Sequence, residues 1–250
     1  MTEKTSDKTT HFGFTEVPIG EKARRVGDVF RSVASRYDLM NDVMSVGSHR
    51  LLKRITLESA AIRPGHMVLD LAGGTGDVAA LLVPLVGAGG QVVLADINGA
   101  MLETGRDRLL DRGIASIDYL QADAESLPLP DDTFDRITLC FGLRNVTRKE
   151  VALTEAHRVL APGGRLVVLE FSKPRNRLLR RAYDSLRSTW PHIGRVLAGD
   201  EDSYRYLNES IDMHPGQEEL LGMFEDAGLT RCRYQNLLDG VAAVHIGEKA

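Results

Sequence analysis

The sequence predicts an α/β domain built on an open, mostly parallel sheet. Short apolar runs alternate with helix-length amphipathic segments through the middle of the chain. The first of these runs ends in a cluster of glycines, as a strand does where it hands over to a helix at a ligand-binding edge. The last two runs flank Asp239-Gly240 too closely for a parallel crossover, so they form an antiparallel hairpin.

Composition agrees with one such domain. The chain has 250 residues, 43% hydrophobic and 26% charged, enough for a large core. Its 31 basic and 35 acidic side chains leave a formal charge of −4 and a pI near 6.0, so no global field exists to hold nucleic acid and no nucleic-acid partner is expected. Two cysteines, Cys140 and Cys232, fit a reducing compartment and exclude a disulfide framework. The 7 histidines and 2 cysteines show no metal-ligand spacing, so no metal is expected. The first ten residues are polar, without an apolar signal segment. The longest uncharged stretch, 78–95, is broken by Pro84, Gly87, Gly89, Gly90 and Gln91, which argues against a membrane span. A cytoplasmic location is expected.

In chain order, residues 1–20 read as a flexible tail and 21–63 as a helical cap. The cap rests on Val26, Val29, Phe30 and Val33, then on Leu51, Leu52, Ile55 and Leu57, at helical spacing, with a turn-rich link over 37–42. Pro64-Gly65 stops it, and 64–250 is the main domain. Strands are predicted over 67–72, 91–96, 117–121, 134–140 and 165–171, each an apolar run of the kind buried in a parallel sheet. Helices are predicted over 77–86, 98–112 and 147–160; Gly113 closes the second and Pro162-Gly163-Gly164 the third. A basic amphipathic helix follows over 175–190, another helix over 217–228, and the hairpin strands over 230–235 and 241–246.

The chemistry concentrates at the first strand-to-helix turn, Leu69-Asp70-Leu71-Ala72-Gly73-Gly74-Thr75-Gly76-Asp77. Its glycines admit a ligand to the backbone, and the helix beyond presents unpaired N–H groups. Asp96 ends the second strand, where a carboxylate accepts both hydroxyls of a ribose. Two cofactors share these features. NAD is one, because Gly74, Gly76 and Ala79 loosely satisfy the dinucleotide pattern. S-adenosylmethionine is the other, and three details favour it. Asp70 lies inside the first strand, placed to orient an amino acid's ammonium. Gln121-Ala122-Asp123-Ala124 closes the third strand, where Asp123 can read an adenine amino group. The sheet ends in a hairpin, not in a second mononucleotide-binding half.

Further blocks carry a family resemblance: Thr10-His11-Phe12-Gly13-Phe14, Phe30-Arg31-Ser32-Val33-Ala34-Ser35-Arg36-Tyr37-Asp38, Phe141-Gly142-Leu143-Arg144-Asn145-Val146, Leu169-Glu170-Phe171-Ser172-Lys173-Pro174, Ser203-Tyr204-Arg205-Tyr206-Leu207 and Met213-His214-Pro215. With them the whole chain resembles the ubiquinone/menaquinone C-methyltransferases, a branch of the class I S-adenosylmethionine-dependent enzymes with a Rossmann-like sheet. The resemblance implies cofactor contacts at Thr75, at Asp96 on the ribose and at Asp123-Ala124 near the adenine. It implies another at the end of the fourth strand, where the family carries a serine and this chain Cys140. A backbone contact survives that change, whereas a hydroxyl hydrogen bond is weakened, because a thiol is a poor donor.

The resemblance also implies the reaction: methylation of a ring carbon of a prenylated quinol, either 2-methoxy-6-polyprenyl-1,4-benzoquinol or demethylmenaquinol. The alternative is an NAD-dependent quinone oxidoreductase. Arg144 is the first candidate to polarise the quinol hydroxyl, since it follows the fourth strand at the carboxyl edge of the sheet and stays charged. A structural ion pair with Glu170 or Asp135 is the competing reading. Asn145 is expected to orient Arg144. His49, Tyr37, Asp38, Asn41 and His214 are weaker candidates, and Tyr204 and Tyr206 either line a ring pocket or pack. In the basic segment, Lys173, Arg175, Arg177, Arg180, Arg181 and Arg187 face a single Asp184, beside an apolar stripe of Leu178, Leu179, Ala182, Tyr183 and Leu186. Peripheral contact of 175–190 with the inner face of a membrane is therefore one expectation, and packing as a lid is the other. Association with other quinone-biosynthesis enzymes is a further expectation of the resemblance.

Overall fold

A computed structural model describes residues 9–33, 47–192, 195 and 201–250. The candidates Tyr37, Asp38 and Asn41, and the first part of the predicted tail, lie outside the described residues.

Seven strands form the central sheet: β3 (Met67–Leu71), β4 (Gln91–Asp96), β5 (Asp118–Gln121), β6 (Phe134–Cys140), β7 (Leu160–Phe171), β8 (Thr230–Leu237) and β9 (Ala242–Glu248). Their spatial order is β5-β4-β3-β6-β7-β9-β8. The first five are parallel, while β9 runs antiparallel to β7 and β8 antiparallel to β9. Order reverses between β4-β3 and β3-β6, so the carboxyl ends of β3 and β6 diverge into a crevice.

Alternation of side chains along the strands divides the core. On β7, Leu166 and Val168 face one side, with α5 (Lys149–Val159) and α8 (Gln217–Asp226). Val167 and Leu169 face the other, with α2 (His49–Ala60) and α7 (Glu201–Asp212). On that second face, Val68, Val92 and Leu94 meet α3 (Asp77–Val86) and α4 (Gly99–Asp111). Each central strand is buried on both faces, which is why its sequence reads as a continuous apolar run. α4 starts one residue later than predicted because Asn98 is its cap, its side chain accepting from Ala100 N at 3.1 Å and Met101 N at 3.4 Å.

Three departures from the sequence expectation matter. Within the predicted 1–20 tail, β1 (Thr9–Phe12) and β2 (Thr15–Pro18) pair as an antiparallel hairpin, and α1 (Ile19–Val33) starts at once. The hairpin docks on α7: Phe12 stacks on Tyr206 with ring centroids 4.2 Å apart, and Phe14 N donates to Glu209 Oε2 at 3.0 Å. α7 itself was not anticipated, although Tyr204, Leu207 and Ile211 recur at helical spacing and are buried. The basic helix, α6 (Arg177–Arg187), is shorter than 175–190 and buries only Tyr183 and Arg187.

Candidate functional site

The crevice at the carboxyl edge is walled by the ends of four strands. Leu71 ends β3, with Ala72 and Gly74 after it; Asp96 ends β4, with Ile97, Asn98 and Met101 after it; Ala122, Asp123, Ala124 and Glu125 follow β5; Phe141, Gly142, Asn145, Val146 and Thr147 follow β6. α1 covers the opening with Ala23, Val26, Gly27 and Phe30. Asn98 Nδ2 donates to Gly27 O at 3.3 Å, tying this cover to the β4–α4 loop.

The backbone is strained at the strand ends that wall the crevice. Ala72 and Phe141 both hold positive φ, 53° and 58°, just beyond β3 and β6. Such residues cost on the order of 1–3 kcal/mol each and cluster at functional sites. Gly142 permits their close approach, since a Cβ there would sit 2.7 Å from Ala72 Cβ. In the glycine turn, Gly76 has φ +79°, and a Cβ on it would meet Leu109 Cδ1 at 2.7 Å. A Cβ on Gly73 would overlap the Leu94 and Asp70 side chains. The turn is therefore a cradle cut to backbone dimensions.

Asp96 organises this cradle. Its Oδ2 accepts from Gly74 N at 2.9 Å and its Oδ1 from Asn98 N at 2.8 Å. Burial raises the carboxyl's pKa, and the backbone N–H donors of Asn98, Gly74 and Ile97 oppose that rise. Each oxygen retains a further lone pair, the acceptor pair that the two hydroxyl donors of a vicinal diol require. Asp123 is exposed at the crevice edge, its Oδ1 accepting from Glu125 N at 2.9 Å.

A smaller recess adjoins the turn, lined by Lys53, Asp70, Gly73, Thr75, Asp77 and Cys140 among others. Asp70 is fully buried, accepting from Thr138 Oγ1 at 2.9 Å and Ala79 N at 3.1 Å. Burial pushes its pKa up to about 7, against the pull of the Thr138 bond and the Lys53 charge. The Cys140 thiol is pushed up by burial and by the Asp70 charge, so it stays protonated.

A testable pH dependence follows from Asp70. Its native pKa lies above the unfolded value, so the native state binds the extra proton and this group's contribution to stability is lost as pH rises from about 4 to about 7. Asp70→Asn is expected to flatten that decline in urea-melt stability. Identical pH profiles for the two proteins would contradict the assignment.

Arg144 is a correction. It was expected to meet the ring hydroxyl, but its side chain is turned into the core and lines neither cavity. Nη1 pairs with Glu170 Oε2 at 2.9 Å and donates to the Phe141 carbonyl; its backbone N donates to Glu170 Oε1 at 3.1 Å. The competing reading, an ion pair with Glu170, describes this geometry. Asn145 does line the crevice, yet it does not orient Arg144: its Oδ1 accepts from Tyr206 OH at 3.1 Å. His49 is buried at the start of α2 and lines neither cavity. His214 is also buried, and desolvation together with the Lys149 and Arg144 charges holds its pKa well below the usual value. Tyr204 packs in the core.

Sequence reasoning overlooked several lining residues. Asn98 follows Asp96 and precedes a glycine, a cap signature. Ala23, Gly27 and Phe30 occupy one face of α1 at helical spacing; of these the sequence reading includes only Phe30, in the cap's apolar stripe, and omits Ala23 and Gly27. Tyr206 carries no local signal for its contact with Asn145.

Solved structures share this architecture. A SAM-dependent methyltransferase from Thermotoga maritima aligns with a TM-score of 0.63 at 21% identity, over 90% of this chain and 100% of its own. One from Aquifex aeolicus aligns with a TM-score of 0.59 at 20% identity, over 84% and 97%. In sequence, the chain is 58% identical to the Ubiquinone/menaquinone biosynthesis C-methyltransferase UbiE of Cellvibrio japonicus, over 100% of both chains. It is 56% identical to the protein of that name from Pseudomonas putida strain W619, over 98% of this chain and 96% of that one. The ubiE/COQ5 methyltransferase family matches residues 19–249, and the chain belongs to that family.

Proposed function

We propose that this protein transfers a methyl group from S-adenosylmethionine to a ring carbon of a prenylated quinol, 2-methoxy-6-polyprenyl-1,4-benzoquinol on the ubiquinone route and demethylmenaquinol on the menaquinone route. The observation that carries the reading is the full-length likeness to C-methyltransferases bearing that name. A nicotinamide oxidoreductase finds no support among these relatives.

The residues present suit the cofactor. Asp96 offers acceptors for a ribose diol, and Leu71, Ile97, Met101 and Ala122 offer apolar lining for an adenine, with Asp123 and Ala124 in the same wall. Gly74, Thr75 and Gly76 bring backbone to the ligand, and Asp70 with Cys140 lines the recess beyond. When bound, S-adenosylmethionine supplies an electrophilic methyl. The chain's own contribution is alignment of the ring carbon with that methyl, an effect that reaches roughly 7–11 kcal/mol in favourable cases. Asn145, held by Tyr206, faces the crevice and is our candidate for a polar contact to the quinol hydroxyl. Arg144 and Glu170 act as positioning residues for the turn that carries Asn145. His49 receives no role.

A quinol oxygen would donate electron density to the attacking ring carbon; the new C–C bond would form as the cofactor's methyl–sulfur bond breaks, the sulfur leaving as the neutral thioether S-adenosylhomocysteine, and the proton on that ring carbon would pass to water, restoring the quinol. The oxidised quinone lacks that density. With methyl-labelled cofactor, label is expected in the reduced substrate and not in the quinone. Equal labelling of both would contradict this chemistry.

Helix α6 supports peripheral membrane contact. Leu178, Leu179 and Leu186 are exposed by 75%, 38% and 44%, beside Arg177, Arg180 and Arg181, so the apolar stripe lies open to solvent with cations along its border. Among the described residues no helix is long and apolar enough to cross a membrane. The variant Arg177→Gln/Arg180→Gln/Arg181→Gln is expected to lose most of its co-sedimentation with anionic vesicles. Undiminished binding would remove the membrane role.

A further inference from the structure

The β8–β9 hairpin turns through three successive residues of positive φ, Leu238 at 49°, Asp239 at 58° and Gly240 at 98°. Glycine and asparagine adopt that conformation readily, whereas a leucine is strained in it. Leu238 recovers little of that cost by packing, since it is 54% exposed. Strain of this kind points to a use outside the fold. The base beneath it is firm. Ser172 N donates to Val241 O, Arg175 N to Asp239 O and Asn176 N to Asp239 Oδ2, each at 2.9 Å. Asn176 in turn caps α6, accepting from Leu178 N at 2.8 Å. Leu238 is thus held beside the first turn of α6, where Leu178 is 75% exposed.

Strand register places this turn relative to the crevice. Phe171, the last residue of β7, pairs with Ala242, the first of β9. The turn and the start of α6 therefore lie at the carboxyl edge of the parallel strands, the edge that holds the crevice. From β6 to β9 is two strand spacings, about 10 Å. Arg175, Arg177, Arg180 and Arg181 in the adjoining segment are exposed, and none of them forms an ion pair among the described residues. A prenylated quinol whose tail stays in a bilayer must present its ring to this edge. We propose that Leu238 and Leu178 insert together into the interfacial layer of an anionic bilayer, with the arginines on its headgroups, so that the hairpin turn is a second membrane contact that sets the crevice edge toward the lipid. Resting on the α6 contact proposed above, this adds a contact that depends on apolar insertion, not on charge.

Leu238→Asn in the full chain tests the proposal. Asparagine suits a left-handed φ, so this variant is expected to melt no lower than wild type. Its affinity for vesicles of phosphatidylcholine and phosphatidylglycerol is expected to fall roughly tenfold. Leu110→Gln removes an exposed leucine from α4 and is expected to leave that affinity unchanged. Methyl transfer to a quinol with a short, water-soluble tail is expected to match wild type in both variants. Transfer to a long-tailed quinol in vesicles is expected to fall only in Leu238→Asn. The fluorescence of Leu238→Trp is expected to be quenched by brominated lipid. Wild-type vesicle binding that Leu238→Asn retains, with no quenching of Leu238→Trp, overturns the proposal and leaves the α6 contact standing. No vesicle binding by wild type overturns both. A dimer that Leu238→Asn dissociates in sedimentation velocity, without vesicle binding, makes the patch a self-association face and overturns the proposal as well.

Discussion

Replacing Asp96 with alanine is expected to weaken S-adenosylmethionine binding by roughly a hundredfold to ten-thousandfold. Two charge-assisted hydrogen bonds to a ribose are worth on the order of 1.5–3 kcal/mol each, and about 1.4 kcal/mol corresponds to a factor of ten. The same carboxylate holds Gly74 N and Asn98 N, so its loss also loosens the cradle from the α4 cap. Gly74 and Asn98 both line the crevice, so the loss is confined to its wall, the stability cost is expected near ~1–2 kcal/mol and melting is expected to remain cooperative. Asp96→Asn is not a rescue: its amide NH2 would face one of two backbone donors. Calorimetric affinity alongside a thermal melt checks both parts, and retained affinity in the alanine variant would remove Asp96 from the site.

Glu170→Ala is expected to destabilise the fold by about 3–5 kcal/mol, because it leaves a buried guanidinium uncompensated. The Arg144 and Glu170 side chains are only 3% and 2% exposed. Glu170 also accepts from the backbone N–H groups of Arg144 and Phe171, at 3.1 and 3.2 Å. Arg144→Met/Glu170→Gln is expected to recover part of that stability, since no charge remains and the glutamine oxygen still accepts the N–H of residue 144, while its NH2 group faces the Phe171 N–H. Function should not recover with it. The Phe141 carbonyl loses its guanidinium donor, and the turn Leu143–Asn145 loses what fixes Asn145 against the crevice. The expected signature is a kcat lowered roughly tenfold or more with cofactor affinity within a few-fold of wild type, an effect size typical of lost positioning. Full turnover in the double variant would make the ion pair purely structural.

Much of this was legible before the structure. β4, β6 and α3 occupy the predicted spans, because an apolar run bounded by glycine, proline or aspartate leaves a parallel strand or short helix little freedom. The glycine turn and Asp96 were equally readable, since only backbone dimensions and one carboxylate define them. What stayed hidden depends on distant partners. The β1–β2 hairpin is polar and short, and its support comes from Tyr206 and Glu209 on α7. β7 begins at Leu160, before the Pro-Gly-Gly turn, because Leu160 pairs with Phe134 across a register shift. Arg144 sits at the predicted edge, but the direction of its side chain is set by Glu170 on another strand, which periodicity cannot convey.

The most direct test of the account is mass spectrometry of products after incubation with S-adenosylmethionine and both reduced quinol precursors together. A gain of one methylene mass on both quinols is the predicted result, and it should vanish in Asp96→Ala. No gain on either quinol, with cofactor binding demonstrated in the same preparation, would contradict the quinol assignment while leaving the fold and the cofactor cradle in place.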